Sequence, residues 1–189
     1  DGSAVRGSVV VGLRRAVDER GRDAKDPAWV PPPVRRGARA LIDERVARIV
    51  TADACLFAIN PAGNALLVAH ATSGLRDSVA GLELPVGGGV SGWVAANRST
   101  IRTADPTLDV GELAEDLAFR CCTSTPVFTG GDLFGVLTVY GTQAAGFSES
   151  AVVAVGLLAQ EVGLMMAQPE RDEDVKFIAA SGLSMAAAS

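Results

Sequence analysis

The sequence predicts a single-core α/β domain in which antiparallel hairpins form the sheet and amphipathic helices cover it. Two observations support this fold class. Apolar residues follow helical spacing near both ends of the chain, whereas the segments between them are short, rich in strand formers and paired around turn sequences. The 189 residues are 48% apolar and 21% charged, which is enough for one well-filled core and argues against a second one.

Residues 1–33 are expected to form an amphipathic helix and a linker ahead of the folded domain. Val9, Leu13 and Val17 follow helical spacing, and Ser8 can cap that helix. The prolines at positions 31–33 then require an extended chain, because proline cannot continue a helix. We therefore expect the folded domain to occupy residues 34–168.

The first part of this domain is predicted to be a helix over residues 34–50 followed by a β-hairpin. In the helix, apolar residues recur every three or four positions and charged residues occupy the other face. The two strands are expected at residues 54–59 and 65–71. Between them, residues 60–64 contain the asparagines, proline and glycine that are typical of tight turns.

Residues 72–119 form the least regular part of the chain. The pattern indicates an extended segment at 82–86, a glycine-rich turn into a short helix at 90–96, and a strand at 100–103. A short helix is also possible at 111–119. Such a segment can cover a sheet without belonging to it.

A second hairpin is predicted from residues 122–128 and 133–140, joined by Gly130-Gly131, which suits the positive φ angles of a two-residue turn. Both faces of its second strand are apolar, so we expect this strand to be central and covered on both sides. Strict alternation predicts that Leu133, Leu137 and Val139 lie on one face and Phe134, Val136 and Tyr140 on the other.

A long helix is predicted from Ser148, its N-cap, to about residue 168. Its apolar arc is wider than contact with one sheet requires. Either a partner helix covers the surplus, or the helix is buried between the sheet and the first helix of the same chain. Residues 169–189 are expected to continue as a connector helix towards another part of a longer protein.

Charge and composition exclude several classes of protein. The net charge is −5 and the basic residues are scattered, so nucleic-acid binding is not expected. No apolar run reaches the roughly 18 uninterrupted residues that a membrane helix needs, and no signal-peptide pattern opens the chain. Three cysteines, at positions 55, 121 and 122, lie in apolar segments, which favours a reducing cytoplasm over a disulfide-bonded secreted protein.

The order of elements and several local stretches resemble the GAF domain family from about residue 36 to residue 167. No single stretch is diagnostic, but their order and spacing agree with the family. The matching stretches are Ala52–Cys55, Leu84–Val94, Asp105, Thr125–Phe128, Leu133–Leu137 and Phe147–Glu149.

The resemblance implies a central six-stranded antiparallel sheet with the N- and C-terminal helices on one face and an irregular, pocket-forming segment on the other. It also implies a sensory role. Such domains serve as input modules of histidine kinases, cyclases, phosphodiesterases and transcriptional regulators, and they pair through their terminal helices. We therefore expect a cytoplasmic homodimer that senses an unidentified small molecule and passes the signal to a C-terminal output domain.

The candidate ligand-binding residues lie on the irregular segment or on strand positions beside it. The alternative is that these side chains simply fill the core. No catalytic residue, no metal site and no specific cofactor is predicted. The candidates are Trp93, Asp105, Phe119, Cys121, Thr123 and Tyr140.

Two glycine motifs match known signatures only superficially. Residues 87–92 satisfy the spacing of a dinucleotide-binding loop, but hairpins surround them where that fold needs a βαβ unit. Residues 130–134 nearly spell the diguanylate cyclase signature, but Leu133 replaces its acidic residue. We expect neither activity.

Two alternatives to a ligand sensor remain open. One is a ligand-free dimerisation scaffold. The other is a free methionine-(R)-sulfoxide reductase, a catalytic branch of the GAF family, in which Cys121 and Cys122 would react if Arg120 lowered the pKa of a thiol. His70 is the only histidine, so a catalytic triad or a histidine metal site has little to build on.

Overall fold

The computed structural model describes residues 29–49 and 52–168. The predicted N-terminal helix and the predicted connector at 169–189 lie outside these residues. The elements, numbered in chain order, are helix α1 (Arg36–Ala47), strands β1 (Ala52–Ile59), β2 (Ala65–Ala71) and β3 (Glu83–Pro85), helix α2 (Gly89–Asn97), strand β4 (Ile101–Ala104), helices α3 (Thr107–Val110) and α4 (Leu113–Asp116), strands β5 (Cys121–Thr129) and β6 (Asp132–Gly141), and helix α5 (Glu149–Ala167).

The strands form one six-stranded sheet in the order β3-β2-β1-β6-β5-β4. Every neighbouring pair is antiparallel. The predicted hairpins are β1–β2 and β5–β6, and the β1–β6 pairing joins them at the centre of the sheet. This arrangement confirms the predicted fold class, including the six strands that the resemblance implied.

Helices α1 and α5 cover one face of the sheet. Ile42 and Val46 of α1 pack with Val155, Leu158 and Val162 of α5 in a core that also holds side chains of β1, β5 and β6. Complete burial of each such side chain contributes about 1.5–3 kcal/mol to folding. Helix α5 begins where predicted, since the Ser148 hydroxyl accepts a hydrogen bond from the Ala151 N–H at 3.2 Å.

The irregular segment covers the other face. Val90 and Val94 of α2, together with Phe119, pack against Phe57 of β1 and Val136 of β6. Side chains of α3 and α4 complete this second core. The sheet is therefore apolar on both sides, as the apolar composition of the second hairpin predicted.

The prediction is wrong for the faces of Leu133 and Phe134. Leu133 packs into the core beneath the irregular segment, and Phe134 packs into the helix core. Val127 pairs with Gly135 but Phe128 pairs with Leu133, so the register shifts at this point. Such a bulge reverses the alternation of side chains along the strand.

One described helix, α5, is long and apolar enough to cross a membrane by length and composition alone. It packs against β5 and β6, and Val155, Leu158 and Val162 are buried in the helix core. We therefore interpret α5 as the core helix of a folded domain.

Candidate functional site

The carboxylate of Asp109, in α3, lies against the first turn of α2. It accepts the Val90 N–H at 2.7 Å, the Ser91 N–H at 3.1 Å and the Ser91 hydroxyl at 2.5 Å. The first N–H groups of a helix have no partner within the helix, and its dipole favours negative charge there. Asp109, itself buried, therefore caps α2 from a distant segment of the chain.

A chain of hydroxyl groups continues from Asp109 to the sheet. Ser91 Oγ lies 2.7 Å from Thr138 Oγ1 on β6, which lies 2.8 Å from Ser124 Oγ on β5. A hydroxyl group carries one proton. Because Ser91 donates to Asp109, Thr138 must donate to Ser91, and Ser124 must donate to Thr138. The result is a directed, buried network that joins α2 and α3 to the centre of the sheet.

The glycine-rich stretch before α2 makes this contact possible. A Cβ atom on Gly89 would lie 2.5 Å from Asp109 Oδ1 and 2.6 Å from the Leu108 carbonyl oxygen, and the φ angle of Gly89 is +60°. Only glycine tolerates both conditions. These glycines therefore bring α3 against the start of α2, and the protein's own carboxylate occupies the position where a phosphate would bind in a dinucleotide loop.

Tyr140 lies beside this network on the same face of β6 as Thr138. Its ring stacks on Phe119 with centroids 5.3 Å apart, and the side chain is completely buried. Within the described residues, its hydroxyl has no well-formed hydrogen bond. Burial raises the pKa of Tyr140, and the nearby charge of Asp109 raises it further. The phenol is thus a neutral donor close to Asp109, whose pKa it lowers without a well-aligned hydrogen bond.

Two buried thiols flank the same group of residues. Burial raises the pKa of Cys55 and of Cys122, and the charge of Asp109 adds to both shifts. Burial also raises the pKa of Asp109, although the hydrogen bonds from Ser91 and Val90 and the interaction with Tyr140 oppose that shift. The site therefore favours neutral thiols and neutral hydroxyls around one partly compensated carboxyl group.

Of the six predicted ligand-binding residues, the structure brings Phe119 and Tyr140 together. Trp93 lies on the outer side of α2 with 41% of its surface exposed. Asp105 lies at the surface, where its carboxylate accepts the N–H and the hydroxyl of Thr107. These bonds lower the pKa of Asp105. Neither Trp93 nor Asp105 faces the core beneath α2: Trp93 lies on the outer side of that helix, and Asp105 lies on an exposed loop.

Cys121 and Thr123 lie on the face of the sheet that α1 and α5 cover. Thr123 pairs with Val139, whose side chain belongs to the helix core, whereas Cys122 pairs with Tyr140. Cys121 lines a separate cavity of about 90 Å³ at the start of α5. Adjacent strand residues point to opposite faces, so Cys121 and Cys122 cannot act together on one substrate.

The thiol pKa values also oppose the suggested activation by Arg120. Burial raises the pKa of Cys121, and burial followed by the charge of Asp109 raises that of Cys122. Thiols of this kind stay protonated at neutral pH and are weak nucleophiles. The raised pKa values therefore do not favour the reactive thiolate that a reductase needs.

Apolar side chains pack between the sheet and the irregular segment. The domain also has the cavity beside Cys121, and a wide groove of about 570 Å³ between the β1–β2 turn, the end of α2 and the start of β6. The packing around Phe119 and Tyr140 agrees with the core alternative for these two residues. Ligand binding by any of the six residues stays a prediction.

His70 has a structural position. Its Nε2 atom lies 2.9 Å from Asp43 Oδ1, so it joins β2 to α1 on the helix-covered face. Among the described residues, no group of three or more histidine, cysteine, aspartate or glutamate side chains is placed to hold a metal ion.

Sequence analysis missed the polar centre of the site. Asp109 was placed in a loop ahead of a possible helix, and Ser91 was considered only as part of a glycine motif. A usable signal was present. Ser124 and Thr138 carry hydroxyl groups in the strands of the second predicted hairpin, which was expected to be covered on both faces, and buried hydroxyl groups need a partner.

The family profile described as GAF domain matches residues 38–167, which is more than half of the chain. None of the curated protein sequences matches the chain.

Several solved structures share the fold. The GAF domain of a phosphoenolpyruvate-protein phosphotransferase (ptsP) from Coxiella burnetii has 18% sequence identity and a TM-score of 0.58; the alignment covers 82% of this chain and 89% of that one. A domain assigned to a two-component sensor histidine kinase from Sinorhizobium meliloti has 15% identity and a TM-score of 0.53, with coverage of 74% and 94%. The reduced fRMsr of Staphylococcus aureus has 15% identity and a TM-score of 0.51, with coverage of 74% and 99%.

Proposed function

The chain belongs to the GAF domain family, and we propose that it is the small-molecule-sensing and dimerising input domain of a larger signalling protein. The output would be a histidine kinase, a cyclase or phosphodiesterase, or a transcriptional regulator that follows residue 189. Three cysteines without a disulfide suit a cytoplasmic location. The similar domains from a sensor kinase and a phosphotransferase support a regulatory role.

An apolar stripe on α5 carries the proposal. Val153, Leu157 and Leu164 are 55%, 54% and 68% exposed. Residues four and seven positions apart share one face of a helix, so positions 153, 157, 160 and 164 form one continuous line. Three of these positions are apolar, and the fourth is Gln160. Large apolar side chains aligned at coiled-coil spacing favour a second helix as partner. The corresponding helix of a second copy is the simplest occupant, because symmetric pairs dominate among oligomers.

The fold connects the polar network beneath α2, where a ligand would be sensed, with helix α5, where the dimer would form. The buried face of α5 packs on β5 and β6. The opposite face of the same strands carries Ser124, Thr138 and Tyr140. A change in the polar network would therefore act on strands that contact α5, and a shift of α5 would alter the proposed dimer.

The dimer is tested by light scattering on the 189-residue protein over a range of concentrations. We expect a dimer for the natural sequence and a shift towards monomer for the triple variant Val153→Ser, Leu157→Gln, Leu164→Gln. Leu108→Gln is the matched control, because this leucine is also exposed but lies in α3 on the other face of the sheet. A natural chain that stays monomeric, or equal dissociation in both variants, contradicts the proposal.

A ligand-free dimerisation scaffold is the second candidate. The apolar side chains that pack between the sheet and the irregular segment favour it. A thermal-shift screen against cyclic nucleotides, amino acids, oxo acids and haem separates the two candidates. A ligand at a hundred times its dissociation constant stabilises the folded state by about 2.7 kcal/mol, whereas a scaffold responds to none of them.

A further inference from the structure

Asp109 makes the contacts that a bound anion would make at the start of α2. Two N–H groups and the Ser91 hydroxyl donate to its carboxylate. Helix α2 has nine residues, so its positive end adds to these contacts. The carboxylate is supplied by a residue 18 positions further along the chain than Ser91. The anion position is therefore occupied from within the protein.

The hydroxyl of Tyr140 is a further donor beside Asp109, and it makes no well-formed hydrogen bond within the described part of the chain although it is completely buried. It still lowers the pKa of Asp109, so the two groups interact without a well-aligned hydrogen bond. Tyr140 follows Thr138 on the same face of β6, and Thr138 contacts Ser91 at 2.7 Å. Buried hydroxyls nearly always find a partner. A free anion is not tethered to a backbone, so it can approach this donor more closely than the Asp109 carboxylate does.

The chemistry of the donors selects the class of anion. The groups that bond Asp109 are two backbone N–H groups and one hydroxyl, and the Tyr140 phenol is neutral too. Burial raises the pKa of Asp109, as expected where neutral donors compensate only part of a charge. Such a site suits a small anion with one charge. Phosphates, which prefer arginine or lysine, suit it poorly.

The segment that carries Asp109 consists of two short helices, α3 and α4, each of four residues. Gly111 lies between them and Ala118 follows them, both with positive φ angles. Val110 and Ala114 are buried, whereas Leu108, beside Asp109, is exposed. The other donors of the site lie on α2 and on the central strand β6, so the Asp109 segment is the part of the site that would have to move.

We propose that Asp109 is a built-in competitor for a small carboxylate monoanion, which binds at the first turn of α2 and contacts Ser91 and Tyr140 when the Asp109 segment moves aside. The inference rests on the proposed sensing function, since it names the ligand class of that site. In the resting protein the site is closed by its own carboxylate. The external carboxylate opens it.

The test uses the full 189-residue protein and its Asp109→Ala variant, with formate, acetate, propionate and phosphate compared with chloride at equal ionic strength. Thermal denaturation and calorimetry measure binding. Asp109→Ala removes one carboxyl group, so we expect it to bind formate more tightly than acetate or propionate, and phosphate not at all. A tethered competitor acts at high effective concentration, so the natural protein should bind formate at least about tenfold more weakly.

Asp109→Ala combined with Tyr140→Phe is the matched control, because it keeps the vacated site but removes the Tyr140 hydroxyl. We expect this double variant to bind formate more weakly than Asp109→Ala. Equal stabilisation of all three proteins by formate would be a general salt effect and would overturn the proposal, as would the absence of a formate response in Asp109→Ala. If Asp109→Ala does not fold in chloride, its refolding yield in formate is compared with that in chloride, and equal yields overturn the proposal.

The oligomeric state of the natural protein, measured with and without formate, separates this inference from the proposed function. Formate binding without any change in the dimer establishes the anion site but contradicts its role in signalling. A dimer that does not bind formate overturns the anion site and leaves the proposed dimer intact.

Discussion

The side chains of Asp109 and Ser91 share a 2.5 Å hydrogen bond beneath the first turn of α2. Both residues are buried. Ser91 also contacts Thr138 at 2.7 Å, so one hydroxyl joins the irregular segment to the central strand. We therefore expect the stability of this face of the domain to depend on the Ser91 hydroxyl.

Ser91→Ala is expected to destabilise the protein by about 1–3 kcal/mol, because it removes a bond to a buried carboxyl group and leaves Thr138 without an acceptor. Urea denaturation measures the change. Ser99→Ala is the control, since its hydroxyl bonds the Asn97 carbonyl at an exposed position, and its effect should stay within about 0.5 kcal/mol. Equal effects of the two substitutions would contradict the buried network.

The raised pKa of Asp109 predicts a pH dependence of stability. The folded chain binds this proton more tightly than the unfolded chain, so folding takes up a proton between the two pKa values. The stability that Asp109 contributes is therefore complete below about pH 4, the ordinary range of a carboxyl group. It declines as the pH rises through the folded pKa.

Asp109→Asn keeps the size of the side chain and cannot ionise. We expect the free energy of unfolding of the natural protein, minus that of Asp109→Asn, to fall as the pH rises from about 4 and then to level off. Denaturant titrations at several pH values give this difference. A difference that grows with pH would mean that the folded pKa is lowered and would refute the assignment.

Two glycines of α5 should respond in opposite ways to alanine. A Cβ on Gly163 would lie 2.1 Å from the Phe128 carbonyl oxygen, whereas a Cβ on Gly156 would meet nothing within 4 Å. We expect Gly163→Ala to cost at least about 1–3 kcal/mol by overpacking. Gly156→Ala should gain up to about 1 kcal/mol from helix propensity. Thermal denaturation of both variants decides the point, and a tolerated Gly163→Ala would contradict the close contact of α5 with β5.

The three thiols should be unreactive in the folded protein. All are buried, and burial raises the pKa of each of them. We expect slow reaction with a chromogenic disulfide at neutral pH and prompt reaction of all three in denaturant. Cys121 should react first, because it lines a cavity. Immediate reaction of Cys122 in the folded protein would revive the reductase alternative.

Hairpin turns and apolar alternation made most of the fold predictable. The turn at residues 60–64 and Gly130-Gly131 marked the two hairpins, and Ser148 marked the start of α5. The bulge beside Gly135 was not predictable, because strict alternation assumes an unbroken register and the β5–β6 register shifts between Val127 and Phe128. The close approach of β6 to β1 at Gly135 was not predictable either. A Cβ on Gly135 would lie only 1.8 Å from the Phe57 carbonyl oxygen.

The site was harder to predict than the fold. Phe119 and Tyr140 were named because they lie on the irregular segment or on a strand position beside it, and the structure brings these two together. Asp109 was missed, because its role comes from a contact with the start of α2 that no local pattern encodes. Cys121 and Thr123 were also assigned to the site. Each is adjacent to Cys122 on β5, and adjacent residues of a strand face opposite sides of the sheet, so both side chains face the helices.

Cross-linking of Leu157→Cys in the full protein tests the proposed dimer most directly. Leu157 is the middle residue of the apolar stripe, so it lies near its own copy whichever way the two helices run, and the natural thiols are buried. We predict rapid formation of a disulfide-linked dimer under mild oxidation, with little for Leu108→Cys, which is exposed on the other face of the sheet. Cross-linking of Leu157→Cys no faster than that of Leu108→Cys would contradict the account.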